Sequence, residues 1–166
     1  MEWKKATDVI LIASFVVLAV FVILGLYQWI SRRSLKKVDK KLLWMIIPLV
    51  LMVATYLICD KVLPKFFDFM PTRPNGSGEP SFPSTHAMVV GTIFFLAAIT
   101  LPQYIKSKTA CALLDFAMLA LLALVCIGRV MSNMHSTIDV IGGVCFAAIF
   151  AAIYYLITRE RKAKNE

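Results

Sequence analysis

From Val9 to Ile30 the chain runs without one charged side chain, and four more apolar stretches follow: Leu42–Cys59, His86–Pro102, Ala110–Gly128 and Ile138–Thr158. About 20 apolar residues in helical form cross the ~30 Å hydrocarbon layer of a bilayer. Inside lipid every backbone N–H and C=O must find a partner within the protein, which leaves helices or a closed barrel. The stretches are too long for barrel strands, so the predicted fold is all-α. It is a polytopic membrane helical bundle with about five transmembrane helices, near residues 9–30, 42–59, 86–102, 110–128 and 138–158, forming a single domain over 1–166. Composition agrees, with 60% hydrophobic and 17% charged residues and a mean hydropathy of +0.77, against about 25% charged in soluble domains. The first stretch exceeds the apolar core of a cleaved leader. It ends in Tyr27-Gln28-Trp29-Ile30-Ser31-Arg32-Arg33, with no small-residue cleavage site, and so reads as a retained anchor.

Charge sets the orientation. Arg32, Arg33, Lys36, Lys37, Lys40 and Lys41 follow the first span, Lys106 and Lys108 separate the third from the fourth, and Arg159, Arg161, Lys162 and Lys164 close the chain. Lys4, Lys5, Lys61, Lys65, Arg73 and Arg129 fall on the opposite side. The positive-inside tendency places the amino terminus outside and the carboxyl tail in the cytoplasm, with Trp29, Trp44, Tyr104, Tyr154 and Tyr155 near the cytoplasmic interface. The net charge of +8 is then a topology signal with an attraction to anionic membrane lipids, and nucleic-acid binding is excluded as a function. Cys59, Cys111, Cys126 and Cys145 lie in or at the ends of spans as small hydrophobes, with neither a disulfide frame nor a zinc pattern.

Three polar clusters stand at span ends: Arg73-Pro74, Pro83-Ser84-Thr85-His86, and Arg129-x5-His135-x3-Asp139. They include both histidines of the chain. The alternation of spans puts all three on the outer side, in the connections 60–85 and 129–137, where one pocket can collect them. If the fifth span begins near Met134, His135 and Asp139 share a helical face. A carboxylate beside an imidazole fixes its tautomer and leaves the other nitrogen free to attack. The plainer reading of the pair is a membrane-edge ion pair or a helix cap. Arg73 and Arg129 present forks suited to phosphate, although isolated arginines here also snorkel to the interface. Ser84 or Thr85 caps the third span, whose free N–H groups favour an anion, and His86 in its first turn is placed to act as a general acid. Residues 74–80 read as a turn-rich loop able to fold over a ligand. Asp115, inside the fourth span, is expected to pair with Lys106 or Lys108.

These clusters resemble the three-part signature of the type 2 phosphatidic acid phosphatase (PAP2) superfamily, K-x6-RP, PSGH and SR-x5-H-x3-D, over Lys65 to Asp139. The resemblance implies a PAP2-like helical core and a phosphatase that uses a phosphohistidine intermediate and neither metal nor cofactor. His135 would be the nucleophile, Asp139 its orienting partner and His86 the general acid. Arg73, Ser84, Thr85, Arg129 and Lys65 would bind the phosphate. The sequence departs from the pattern in three places. Lys65 lies eight positions before Arg73 where the family has seven, with Lys61 a second candidate. Thr85 replaces a glycine and Gly128 a serine. There is also one span fewer than is usual, as if an amino-terminal helix were missing.

The expected activity is hydrolysis of a lipid phosphomonoester or diphosphate at the outer face of a bacterial inner (plasma) membrane. Phosphatidic acid, phosphatidylglycerol phosphate, undecaprenyl diphosphate and lipid A phosphates all fit. Phe66, Phe67 and Phe69 anchor the outer loop at the interface or seat the lipid tail. Transfer to a second lipid by the same histidine, and non-enzymatic binding or transport of phosphate lipids, are the alternatives. Oligomeric state is left open.

Overall fold

The computed structural model describes residues 2–33, 38–67 and 71–163. Phe69, Lys36, Lys37 and Lys164 lie outside the described residues. The chain folds as a helical bundle: α1 (Glu2–Arg32), α2 (Lys40–Trp44), α3 (Ile46–Leu57), α4 (Thr85–Thr100), α5 (Lys108–Met131) and α6 (Thr137–Ala163). The break between α2 and α3 falls at Met45, one turn before Pro48, whose ring nitrogen has no hydrogen to continue the ladder. Past Leu57 the helix widens into a π-turn, Ile58–Val62, and then tightens into a 3-10 turn, Leu63–Lys65, around Pro64. Among the described residues five helical stretches are long and apolar enough to cross a membrane: Glu2–Ser31, Lys40–Lys65, Thr85–Gln103, Lys108–Met131 and Thr137–Arg159. Each is longer than the apolar run that announced it. A helix continues through the headgroup region, where polar side chains meet water.

α4 is the central element. Ala87, Met88, Val90, Ile93, Leu96 and Ala97 are almost wholly buried; Met88, Val90 and Ile93 share a core with Met52, Leu122, Val125 and Phe150, and Leu96 and Ala97 share one with Phe21, Met45 and Tyr154. Small residues set the α4–α6 distance. A Cβ on Gly143 would sit 2.6 Å from the Ser84 carbonyl oxygen, and one on Gly91 would sit 2.9 Å from Ala147 Cβ. A Cβ on Gly142 would strike the Phe82 ring. Van der Waals packing between small residues lets membrane helices approach closely where hydrophobic driving force is absent. Here it brings the N-terminus of α4 against the first turns of α6.

The opposite end is closed by hydrogen bonds. Asp39 Oδ1 accepts from Lys41 N at 2.9 Å and Asp39 Oδ2 from the Tyr104 hydroxyl at 3.0 Å, while Gln28 Oε1 accepts from Asp39 N at 2.8 Å. Tyr154 was expected among the interfacial aromatics; instead it is fully buried. Its hydroxyl lies 2.8 Å from Thr100 Oγ1 and donates to the Lys41 carbonyl at 3.1 Å, because a phenol that finds both partners inside the bundle gains nothing by reaching water. Tyr155 and Trp29 are exposed. The expected pairing of Asp115 with Lys106 or Lys108 is not formed, and Asp115 Oδ1 is buried without a hydrogen-bond partner. The four cysteines are free.

Candidate active site

The spacing Arg129-x5-His135 is the geometry of a helix end. After Gly128 and Arg129 the last turn of α5 closes with Ser132 N donating to the Gly128 carbonyl at 3.0 Å, and Asn133 adopts φ 53°. Asparagine tolerates this left-handed conformation better than most residues. The chain then doubles back, so that Met134 N and His135 N both donate to the Arg129 carbonyl, at 3.2 and 3.3 Å. His135 is thereby placed beneath the residue that starts the motif.

α6 begins at Thr137, not near Met134, so His135 precedes the helix and does not share a helical face with Asp139. The two meet for another reason. Asp139 Oδ2 accepts from Ser136 N at 2.7 Å while Asp139 N donates to Ser136 Oγ at 3.3 Å, a reciprocal capping box that folds the carboxylate back over the helix start. Asp139 Oδ2 ends 4.0 Å from His135 Nδ1, with both side chains almost wholly buried. The nearer partner of that nitrogen is the Ser81 carbonyl oxygen, at 2.9 Å. A carbonyl only accepts, so Nδ1 carries the hydrogen and Nε2 holds the lone pair. Burial first, and then the Arg129 charge, push the imidazole down from 6.5 to about 4, which keeps the ring neutral near pH 7.

The Ser81 carbonyl is held by a small hairpin. Ser81 N donates to the Pro71 carbonyl at 2.9 Å, Arg73 N to the Glu79 carbonyl at 2.9 Å, and Arg73 Nη1 pairs with Glu79 at 2.6 Å. Ser84 stands at the N-cap of α4 in an extended conformation, but its side chain makes no capping bond. Its N–H instead donates to the Asp139 carbonyl at 2.9 Å, which ties α4 to α6.

One cavity of about 410 Å³ is lined by Arg73, Thr85, His86, Arg129 and His135, together with Lys61, Asp60, Glu79, Tyr56 and the apolar Leu11, Phe15 and Val89. Both imidazoles of the chain therefore open into the same space. Arg73 Nε, Arg129 Nε and Nη1, and Ser84 Oγ are buried without a hydrogen-bond partner. Buried donors are almost always satisfied, and each orphan costs about 1–3 kcal/mol. Cationic and hydroxyl donors left open beside a helix N-terminus are chemically suited to an anion. Among the described residues no group of three His, Cys, Asp or Glu stands where it would hold a metal ion.

Residues 56–163 match the PAP2 superfamily. The chain belongs to that family. As a PAP2 protein with five membrane-length helices it is a membrane lipid phosphatase. No curated protein matches the sequence. Among solved structures it is similar to a transmembrane PAP2-type phosphatidylglycerolphosphate phosphatase from Bacillus subtilis, with a TM-score of 0.67 at 21% identity, covering 95% of this chain and 75% of that one. The likeness shows that the PAP2 fold is shared.

Most of the expected site residues come together: His86, His135, Arg73, Arg129 and Thr85 line the cavity, and Ser84 and Asp139 lie buried beside it. Lys65 does not. It is exposed and outside the cavity, whereas Lys61 lines it and pairs with Asp60 at 2.7 Å. Residues four apart on a regular helix share a face, but the π-turn and the 3-10 turn between these two lysines change the rotation per residue. Phe66 and Phe67 are exposed beside Lys65 and outside the cavity. Two participants were not anticipated. The Ser81 carbonyl carries no side-chain signal. Asp8 of α1 lies with Oδ1 at 2.8 Å from His86 Nε2 and 3.8 Å from Arg129 Nη1; its one trace in the sequence is a lone carboxylate at the mouth of the first apolar run.

Proposed function

We propose that this protein hydrolyses a lipid phosphomonoester or diphosphate through a phosphohistidine on His135, at the extracytoplasmic face of the bacterial inner membrane. The observation that carries the reading is the fixed tautomer of His135. Its Nδ1–H is committed to the Ser81 carbonyl, so an unprotonated Nε2 belongs to a neutral ring in the same cavity as a second imidazole and two guanidinium groups.

The chemistry follows from these groups. Arg73, Arg129 and Ser84 receive the phosphate oxygens with the donors that are otherwise unpartnered, balancing charge as the phosphoryl group moves. Nε2 of His135 forms the N–P bond while the P–O bond to the lipid breaks, and His86 gives a proton to the departing oxygen. The His135 ring now carries a positive charge, which the buried Asp139 carboxylate at 4.0 Å and the Ser81 carbonyl stabilise. In the second half His86 takes a proton from water, the water oxygen bonds to phosphorus, and the N–P bond breaks to release inorganic phosphate. Lys61, which also lines the cavity, supplies a further cation in place of Lys65. Side chains and water balance every proton and bond in this scheme, so the proposed reaction calls for no metal.

The basic connections near Lys40 and Lys106 lie at the end opposite the cavity, so the positive-inside tendency supports an extracytoplasmic site. The Bacillus subtilis relative is named for phosphatidylglycerolphosphate, which makes that lipid the first substrate to test here. Purified protein is given phosphatidylglycerol phosphate, phosphatidic acid and undecaprenyl diphosphate with a chelator present, and free and lipid-bound phosphate are both followed. Phosphate is expected in solution, with loss by a factor of roughly 10³ or more in His135→Ala. Full turnover by that variant, loss with chelator, label passing to lipid, or binding without turnover would each refute the scheme.

A further inference from the structure

Asp8 belongs to no motif of the family signature, yet it is the residue in direct contact with His86. It lies near the start of α1, one residue after Thr7, whose side chain is buried with Oγ1 donating to the Lys4 carbonyl at 2.8 Å. The approach of α1 to this place depends on Gly128. A Cβ there would sit 2.6 Å from Thr7 Cγ2 and 3.4 Å from the Trp3 ring. With hydrogen at that position, α1 packs against the end of α5, and the next residue on each helix, Asp8 and Arg129, face one another at 3.8 Å. Asp8 Oδ1 also lies 2.8 Å from His86 Nε2.

We propose that Asp8 is a positioning residue for the leaving-group step, holding His86 Nε2–H so that the ring enters the reaction as an imidazolium and Nδ1 is the nitrogen that releases its proton. The inference rests on the phosphatase reading above. An acid catalyst must arrive protonated, and His86 shares its cavity with Arg73, Arg129 and Lys61 on one side of the charge balance and with Asp60 and Glu79 on the other. In the described structure Arg73 is engaged with Glu79 and Lys61 with Asp60. Among the described residues Asp8 is the carboxylate within hydrogen-bond distance of His86, placed to balance a charged ring there. As the P–O bond breaks, the Nδ1 proton passes to the lipid oxygen. The ring becomes neutral, with Nε2–H still donated to Asp8. The water that cleaves the phosphohistidine returns a proton to Nδ1, which closes the cycle.

A general acid matters in proportion to how poorly the leaving group departs. Alkoxide needs the proton; nitrophenolate does not. Asp8→Asn, Asp8→Glu and wild type are therefore compared on dodecyl phosphate and on 4-nitrophenyl phosphate, with His135→Ala alongside as the control for the underlying reading. Asp8→Asn is expected to lose about 10²-fold in kcat on the alkyl ester and less than about 3-fold on the aryl ester, with Asp8→Glu recovering part of the alkyl loss. The ratio of the two losses does not depend on how much of the variant is folded. Equal losses on both esters would reduce Asp8 to a packing role and overturn the proposal. Unchanged kcat with a lowered KM on both would mean that the carboxylate merely competes with substrate for Arg129, and would overturn it as well. If His135→Ala stayed active, the phosphohistidine reading would fail independently of either result.

Discussion

Gly143→Ala tests whether the distance between α4 and α6 sets the catalytic geometry. The added methyl would lie 2.6 Å from the Ser84 carbonyl oxygen, 3.1 Å from Ala87 Cβ and 3.1 Å from Met88 N. Ordinary contact begins near ~3.5 Å, so the first of these is short by about 1 Å. Two of the three atoms are backbone, in the turn that carries His86, and no rotamer change relieves them. The first turn of α4 must move away from α6, by an amount close to the overlap, while His135 and Asp139 stay with α6. Overpacking of this kind costs about 1–3 kcal/mol of stability, and a misplacement of about 1 Å between reacting groups costs on the order of 10²-fold in rate. The expected result is a variant that inserts and is purified with a lowered thermal midpoint, and whose kcat on a lipid phosphate falls by about two orders of magnitude. Stability is read by thermal unfolding in detergent and rate by phosphate release per folded molecule. A kcat within about 2-fold of wild type would show that α4 and α6 do not hold the two imidazoles in register, and the proposed division of labour between them would fall.

Two more outcomes follow from the site. The chain has only two histidines, so nitrogen-15 spectra of the ligand-free protein resolve both rings. His135 should show the Nδ1–H tautomer and stay neutral as the pH falls through 6.5, titrating only near 4. Because the folded value lies below the unfolded one, the stability contributed by the neutral ring is present above pH 6.5 and is lost as the pH falls toward 4; titration near 6.5, or a hydrogen on Nε2, would contradict the assigned nucleophile. Lys61→Ala should raise KM for a lipid phosphate several-fold while Lys65→Ala leaves it unchanged, and the reverse pattern would restore Lys65 to the phosphate site.

The spans and the three clusters were legible because each rests on local physics. Apolar runs demand helices, and the intervals within Arg129-x5-His135-x3-Asp139 encode a helix end followed by a capped helix start. The substitutes are harder to see. A hydropathy reading trims each helix to its charge-free part and so discards the interfacial turns, where α1 continues back to Glu2 and the second span continues on to Lys65. Those turns carry Asp8 and Lys61. The choice between Lys61 and Lys65 depends on a π-turn, which has no reliable sequence signal. The partner that fixes the His135 tautomer is a backbone carbonyl, placed by a hairpin across 71–81.

Gly128 shows how a departure from a motif reads differently once packing is known. Against the family pattern it is a serine lost, and with it a hydroxyl that might have met the phosphate. In the bundle the missing side chain is the condition for contact between α1 and α5, since even a Cβ would collide with Thr7. The same contact brings a carboxylate to within 2.8 Å of His86. The position offers no hydroxyl, and the contact it permits sets a carboxylate 3.8 Å from Arg129 instead. Of the two imidazoles, His86 has the Asp8 carboxylate at 2.8 Å and His135 has the Asp139 carboxylate at 4.0 Å.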